Sequence, residues 1–352
     1  FFRLGILHPG WITNMPEDVY PDHHWPLLRE YPALMPVLNP VALASLPTPV
    51  SALAAFGPHA WIKHDNITHP VYGGNKIRKL EFVLAEIRRY HADHIITLGA
   101  TGTNSGIAAG MICAQEKLPC TVLMFPQADS PTVQANQRWM QHFGVNMENH
   151  ASLWSAVLRY YLHPQRLRPK TYFLFAGCSN PISTFGYINA AFELRDQIRR
   201  GECPEPVEII VPVSSASTLA GLTLGVALAG LNTKVTGIRV AAEKLGPFAA
   251  CTPGVVERLE RAALKIMHGY VPSLPQLRPP EVCMDGRYFG TGYGESTPEA
   301  TAAISAFQEH IGLTLESTYS GKAAAAFLDK LANTRGPVLF WNTFNSRPFP
   351  AT

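Results

Sequence analysis

The chain has 352 residues, 47% hydrophobic and 16% charged, with a formal net charge of +3. That length exceeds what a single hydrophobic core usually organises, so one large or two medium domains are expected. No basic run exceeds two residues (Arg88-Arg89, Arg199-Arg200) and no stretch of about eighteen apolar residues occurs, which argues against nucleic-acid partners and against a membrane span.

Residues 1–45 are rich in proline, aromatic residues and histidine without a sustained period, and read as an arm packed on the body or on a second subunit. Leu46-Pro47-Thr48-Pro49-Val50 punctuates the start of the regular fold. A strand over Ala60-Trp61-Ile62-Lys63 and a turn at His69-Pro70-Val71-Tyr72 lead to Gly73-Gly74-Asn75-Lys76. An amphipathic helix opens there, with Leu80, Val83, Leu84 and Ile87 at three- and four-residue spacing. The pattern then alternates. Strands are predicted at His94–Leu98, Cys120–Phe125 and Tyr172–Phe175, and helices at Ile107–Glu116, Pro131–His142, Leu153–Tyr161 and from the Cys178-Ser179-Asn180-Pro181 loop to about Arg200. The second half repeats the rhythm: a buried strand Val207–Val213, a helix ending near Leu231, and a strand Lys234–Val240. Helices near Val255–His268, Pro298–His310 and Gly321–Leu331 and a last strand Val338–Trp341 complete it. Such alternation predicts an α/β fold of parallel sheets flanked by helices.

Six cysteines (Cys113, Cys120, Cys178, Cys203, Cys251, Cys283) lie far apart, with no Cys-x-x-Cys and no matching histidine pair. Neither a metal site nor a disulfide framework is expected, and the thiols read as reduced. The N-terminal Phe1-Phe2-Arg3-Leu4 carries no signal-peptide pattern, and a cytoplasmic protein is the expectation.

Ligands of parallel sheets bind at the carboxyl ends of the strands. The loops that follow strands here, 99–106, 176–181, 214–221 and 342–346, are all rich in small, hydroxyl or amide residues. Two glycines ahead of Lys76 allow a sharp bend and close approach to a bound group. A lysine held at such a helix start, desolvated and near other cations, becomes a free amine that attacks carbonyls. Ser214 to Gly221 places small hydroxylic residues at a helix N-terminus, an arrangement suited to an anion, although serine and threonine also serve there as plain caps. Neither a Gly-Lys-Ser/Thr loop nor a GxGxxG fingerprint is present, which argues against ATP and NAD. An amine able to condense with an aldehyde, together with a monophosphate cradle, points to pyridoxal 5'-phosphate.

With LPTPV at 46–50, GGNKIRKLE at 73–81, the 99–104 loop, GCSNP at 177–181, SSASTLAGL at 214–222, GTGYGESTPE at 290–299 and YSGK at 319–322, the chain resembles the D-cysteine desulfhydrase and 1-aminocyclopropane-1-carboxylate deaminase family of fold-type II (tryptophan synthase β-like) pyridoxal phosphate enzymes. The likeness spans 46–346, about five-sixths of the chain. It implies a two-domain α/β fold in which 81–187 form a small domain inserted into a large one (1–80 and 188–352), a homodimer, and a small amino acid as substrate. It further implies that Lys76 holds the cofactor covalently and moves the substrate's α-proton. Lys79 and the run Ala216, Ser217, Thr218, Leu219, Ala220 and Gly221 would bind the phosphate. Asn104, with Asn75 nearby, would bond the ring's phenolic oxygen, and Ser320 and Thr343 would lie near the ring nitrogen. Thr103, Tyr293 and Tyr319 would face the substrate.

The family's deaminase branch has a glutamate between the tyrosine and glycine of YxGK, and this chain has Ser320. A neutral hydroxyl beside the ring nitrogen makes a weaker electron sink, suited to β-elimination rather than ring opening. Thr103 and Ser105, Phe344, and Ala216 in place of glycine depart from the family pattern. Ala216 is expected to be tolerated only with a negative φ. These departures keep open a deaminase or β-replacement activity on another small amino acid, and a cofactor-binding protein with little turnover.

Overall fold

The structure, a computed structural model, describes residues 24–245 and 248–349. Residues 1–23 of the expected N-terminal arm therefore lie outside the described residues. The arm is seen from His24 on as two short helices, α1 (Pro26–Glu30) and α2 (Met35–Leu38). In chain order there follow β1 (Val50–Ala52), β2 (Ala60–His64), α3 (Asn75–Arg89), β3 (His94–Ala100), α4 (Asn104–Gln115), β4 (Cys120–Phe125), α5 (Pro131–His142), β5 (Asn146–Asn149) and α6 (Leu153–Tyr161). Next come β6 (Thr171–Leu174), α7 (Pro181–Arg199), β7 (Glu208–Val213), α8 (Ser217–Leu228), β8 (Lys234–Arg239), the ribbon β9 (Lys244–Leu245) and β10 (Phe248–Ala249), and α9 (Pro253–Tyr270). The chain ends with β11 (Cys283–Asp285), α10 (Pro298–Ile311), α11 (Ser320–Ala332) and β12 (Val338–Asn342).

Two sheets carry the fold. The larger has the order β1-β2-β12-β7-β8-β11, all parallel except the edge pair β1–β2, and the smaller is a parallel sheet of order β5-β4-β3-β6. The centre of the large sheet is wholly buried, with every residue of β7 and β12 shielded, as expected for strands covered on both faces. Helices α7 and α8 pack on one side of it through Tyr187, Leu194, Leu219 and Leu222. On the other side α10 and α11 pack through Phe307 and Phe327. The small sheet is sandwiched between α3 with α4 and, on its other face, the Tyr160 side of α6.

Helix α3 links the two sheets. Its Ile77, Leu80, Val83, Leu84 and Ile87 face the small sheet's core, while Phe82 packs with Phe185, Phe192 and the arm residues Trp25 and Leu27. Each fully buried phenylalanine contributes about 1.5–3 kcal/mol of apolar burial. Glu81 fixes the arm. It accepts from the Leu43 and Ala44 amides (3.1 and 3.0 Å) and meets His24 Nε2 at 2.8 Å.

Beneath α3 lies a buried ionic network. Arg78, fully buried, meets Asp65 through Nε and Nη2 (3.0 and 2.8 Å) and Glu193 through both terminal nitrogens (2.9 Å each). Lys63 Nζ donates to Glu193, Gln197 and the Thr48 carbonyl. Tyr187 and Trp341 each donate to Asp65 Oδ2 at 2.7 Å. Burial alone would raise the Glu193 carboxyl, but Arg78 and Lys63 outweigh it and hold the group well below the usual carboxylate range.

Candidate active site

The carboxyl ends of β2, β3, β7 and β12 converge on one cleft of about 440 Å³, open to solvent.

The chain reaches this cleft from β2 through the turn at Gly73-Gly74. Gly74 has φ +95°, and a Cβ there would stand 2.9 Å from the Thr343 carbonyl; a Cβ at Gly73 would be 2.3 Å from the Asn66 carbonyl. With those side chains absent, Asn75 N donates to Thr343 O at 3.1 Å and Gly73 N to Asn345 Oδ1 at 2.7 Å. These bonds lay the start of α3 against the end of β12.

Lys76 therefore lines the cleft from the first turn of α3. Its Nζ donates to Asn75 Oδ1 (2.6 Å), and Asn75 Nδ2 donates to Thr218 Oγ1 (3.1 Å), tying the lysine to the start of α8. Burial lowers the Lys76 amine to about 8, against the opposing pull of Cys178 and Glu316. Lys79, one turn on, also lines the cleft and donates to the Gly177 carbonyl at 3.2 Å. Burial and the neighbouring charge of Lys76 hold it well below the usual lysine range. Two desolvated amines thus share one cavity. The one carboxylate in its lining, Glu316, is engaged by the amides of Thr318 (2.7 Å), Tyr319 (2.8 Å) and Ser320 (2.6 Å). The electrostatic balance calls for an anionic ligand.

The loop from β7 to α8 supplies the cradle. Ser217 N donates to Ser215 O at 3.0 Å across Ala216, which sits at φ +71°, ψ −36°. That is a γ-turn of the rare positive-φ kind. The expectation of a negative φ at Ala216 is thereby corrected: the turn bends the chain so abruptly into α8 that Ala216 is forced across. Ser179 clamps the turn, donating to Ser215 O and accepting from Ser217 N. Thr218 lines the cleft, and Ser217 Oγ is buried with no hydrogen-bond partner among the described residues. Leu219 and Ala220 pack in the core behind the loop. Gly221 is part of a helix seam, since a Cβ there would be 2.4 Å from Tyr187 Cβ on α7. None of these three side chains lines the cleft; what they supply is the helix start, whose first amides lack intrahelical acceptors.

Asn104 lines the opposite wall and bonds Tyr72 and Asn136, two residues that motif reading passes over because neither belongs to a recognisable run. Thr103 is the buried N-cap of α4, accepting from Gly106 N (3.3 Å) and bonded to Ser105 Oγ (2.9 Å); it does not line the cleft. Tyr319 lines it, and its hydroxyl bonds that of Tyr293. Burial pushes the Tyr293 phenol up to about 12, with the bond from Tyr319 opposing. Ser320 is fully buried, and its hydroxyl is engaged with Glu316 rather than facing the cavity. Thr343 is the hydroxyl that lines the cleft on that side, beside Phe344. Glu316 was missed from sequence, although an acidic residue four positions before a helix-opening serine is a legible capping signal.

These residues fit pyridoxal 5'-phosphate. A low-pKa amine, a second amine, the Asn104 amide and the Thr218 and Thr343 hydroxyls line the cleft together with the loop that opens α8, while the unpaired Ser217 hydroxyl lies buried behind that loop, between Ala216 and Thr218.

A D-cysteine desulfhydrase of Serratia proteamaculans (strain 568) is 29% identical to the chain over 330 residues, covering 90% of this chain and 96% of that protein. A nocardicin C-9' epimerase of Nocardia uniformis subsp. tsuyamanensis is 28% identical over 326 residues, covering 89% and 94%. A solved structure of an ACC deaminase homologue superposes with a TM-score of 0.74 at 24% identity over 90% of this chain and 95% of that one, in agreement with the fold. Residues 41–343 match the model of one family from end to end of the two sheets, and the chain belongs to the pyridoxal-phosphate dependent enzymes.

Proposed function

We propose that the protein is a lyase that eliminates a β-substituent from a small amino acid, in the manner of a D-cysteine desulfhydrase, releasing ammonia and a 2-oxo acid. The observation that carries this reading is the pair of desolvated amines, Lys76 and Lys79, facing a helix start across one cleft, in a chain that aligns over nearly its whole length with a D-cysteine desulfhydrase.

Pyridoxal phosphate, when bound, supplies an electron sink for the charge that develops at the substrate's α-carbon. Lys76 is the residue that would hold it and, once released, take the α-proton, its lowered pKa keeping a useful fraction of free amine near neutral pH. Lys79, Ser217, Thr218 and the first amides of α8 would bind the phosphate. Asn104 would orient the ring. The Tyr293–Tyr319 hydroxyl pair, with one proton bonded between them, would deliver a proton to the departing group. Residue 320 carries no carboxylate, which supports elimination.

A second reading, a deaminase acting on 1-aminocyclopropane-1-carboxylate, is favoured by one observation: Glu316 brings a carboxylate to the cleft wall. Incubation with D-cysteine, L-cysteine, β-chloroalanine and 1-aminocyclopropane-1-carboxylate, following sulfide, ammonia and 2-oxo acid, separates the two. Ammonia from the cyclic substrate alone would reverse the preference. Absorbance between 300 and 500 nm before and after borohydride, beside Lys76→Ala, tests the attachment point.

The same reading includes the division into a small domain over 81–187 and a large one around it, which all four strands of the smaller sheet, lying between His94 and Leu174, support. It includes a homodimer, checked by light scattering. It also includes a cytoplasmic setting, with which six unpaired thiols agree.

A further inference from the structure

Asn104 Oδ1 is met by two groups, the Tyr72 hydroxyl and Asn136 Nδ2, each at 2.9 Å. The neighbours fix which end of this amide is which. Asn136 places the same nitrogen 2.8 Å from the Gly102 carbonyl, which can only accept, so that end of Asn136 is its NH2 group. The Asn104 atom facing that NH2 must then be the carbonyl oxygen. Tyr72, on the other lone pair of the same oxygen, has to donate. With both lone pairs taken, the part of the Asn104 amide left to meet a ligand is its NH2. Helix α5 supplies both restraints: Asn136 directly, and Trp139, whose ring stands edge-on to the Tyr72 ring at 5.4 Å and 71°. Tyr72 and Asn136 are both buried, at 2% and 6% exposure, so water does not compete for these bonds.

We infer that Tyr72 and Asn136 are positioning residues that hold Asn104 with its NH2 toward the cleft and reject the flipped amide. The inference rests on the pyridoxal phosphate reading, in which that NH2 meets the phenolic oxygen of the cofactor ring. A donor there stabilises the ionised oxygen, whereas a flipped amide would set a carbonyl against it.

Asn136→Asp keeps the shape but replaces the donor with an acceptor, so Asn104 turns its NH2 away from the cleft to meet it. Asn136→Ala removes the restraint without inverting it. Tyr72→Phe deletes the second donor. Equilibrium dialysis of the full chain against pyridoxal phosphate should show affinity weakened about 3- to 10-fold in Tyr72→Phe and Asn136→Ala, and about 100-fold in Asn136→Asp. The absorbance maximum of the bound cofactor, and its dependence on pH between 5 and 9, should shift most in Asn136→Asp; a residue that only fills space would not move them. Asn136→Asp binding as well as Asn136→Ala, with an unchanged spectrum, overturns the inference alone. Wild-type protein that takes up no cofactor overturns the cofactor reading and the inference with it. Should Asn136→Asp fail to fold by circular dichroism, Tyr72→Phe decides: an unaltered spectrum and affinity refute the positioning role.

Discussion

The basic residues in the first turns of helix α3 meet opposite fates. Arg78 on one side, with Lys63 of β2, is enclosed by Asp65 and Glu193, two cations against two carboxylates, and none of these four side chains has an unpartnered buried atom. Lys76 and Lys79, on the other side, share a cavity whose only lining carboxylate is already engaged by backbone amides. Buried charge is costly in both places. Where the chain supplies the full complement of partners, the cluster is scaffold. Where it stops short, with two amines and no free carboxylate in the lining, the missing partner comes from outside.

This contrast is open to attack by substitution. Lys76→Ala should cost the largest effect, roughly 10⁴-fold in turnover, while the urea midpoint stays near that of the wild type because no buried partner loses a counter-charge. A large loss of stability would place Lys76 in the scaffold instead. Glu193→Gln should do the reverse. It leaves Arg78 and Lys63 short of charge in a dry site, for a loss of about 3–5 kcal/mol in urea unfolding. A loss below about 1 kcal/mol would mean that packing, not pairing, holds the network.

Glu260 on α9 sharpens the rule by departing from it. It is fully buried and both its oxygens lack partners, yet it lines no part of the cleft. Burial, helped by Glu257, raises its carboxyl to about 8, so near neutral pH it is mainly protonated. A pKa raised above its unfolded value makes its contribution to stability complete below about pH 4.5 and progressively lost as pH climbs toward 8. Glu260→Gln should therefore match the wild type near pH 4.5 and melt higher than it at pH 8.5. Parallel pH profiles for the two would show that Glu260 is not the titrating group. An orphaned buried polar atom does not by itself mark a ligand site.

Much of this was legible in the sequence, for identifiable reasons. The central strands and the long helices announce themselves because burial on both faces makes β7 and β12 continuous apolar runs and gives α3 its three- and four-residue spacing. Besides the two-residue ribbon β9–β10, the strands passed over, β1, β5 and β11, are each an outer strand of a sheet, short and only partly covered, and Asn146-Met147-Glu148-Asn149 carries three polar residues out of four. Lys76 and Thr218 were readable because their spacing to glycines and serines is local. Tyr72 and Asn136 were not, since their roles arise from contacts such as the 32-residue separation between Asn104 and Asn136. Ser320 shows the converse: its position was readable, but the direction of its hydroxyl depends on Glu316, which only the folded turn brings to it.

The loop from β7 to α8 offers the finest test of the contrast, because it asks what a site tolerates that a scaffold does not. Two alanines four residues apart, Ala216 and Ala220, are both buried, at 2% and 0% exposure, and differ in backbone: φ is +71° at Ala216, while Ala220 sits inside α8. Replacing either by glycine removes a buried methyl worth about 0.8 kcal/mol. At Ala220 the loss of helix propensity adds about 1 kcal/mol, for a total near 2. At Ala216 the greater freedom of an unfolded glycine adds about 0.5–1 kcal/mol, but relief of the positive-φ strain returns about 1–2. The two nearly cancel, so Ala216→Gly should leave the melting temperature almost unchanged while Ala220→Gly lowers it measurably. Equal losses at both positions would mean that Ala216 carries no strain and that the turn presenting Ser217 and Thr218 is held without it.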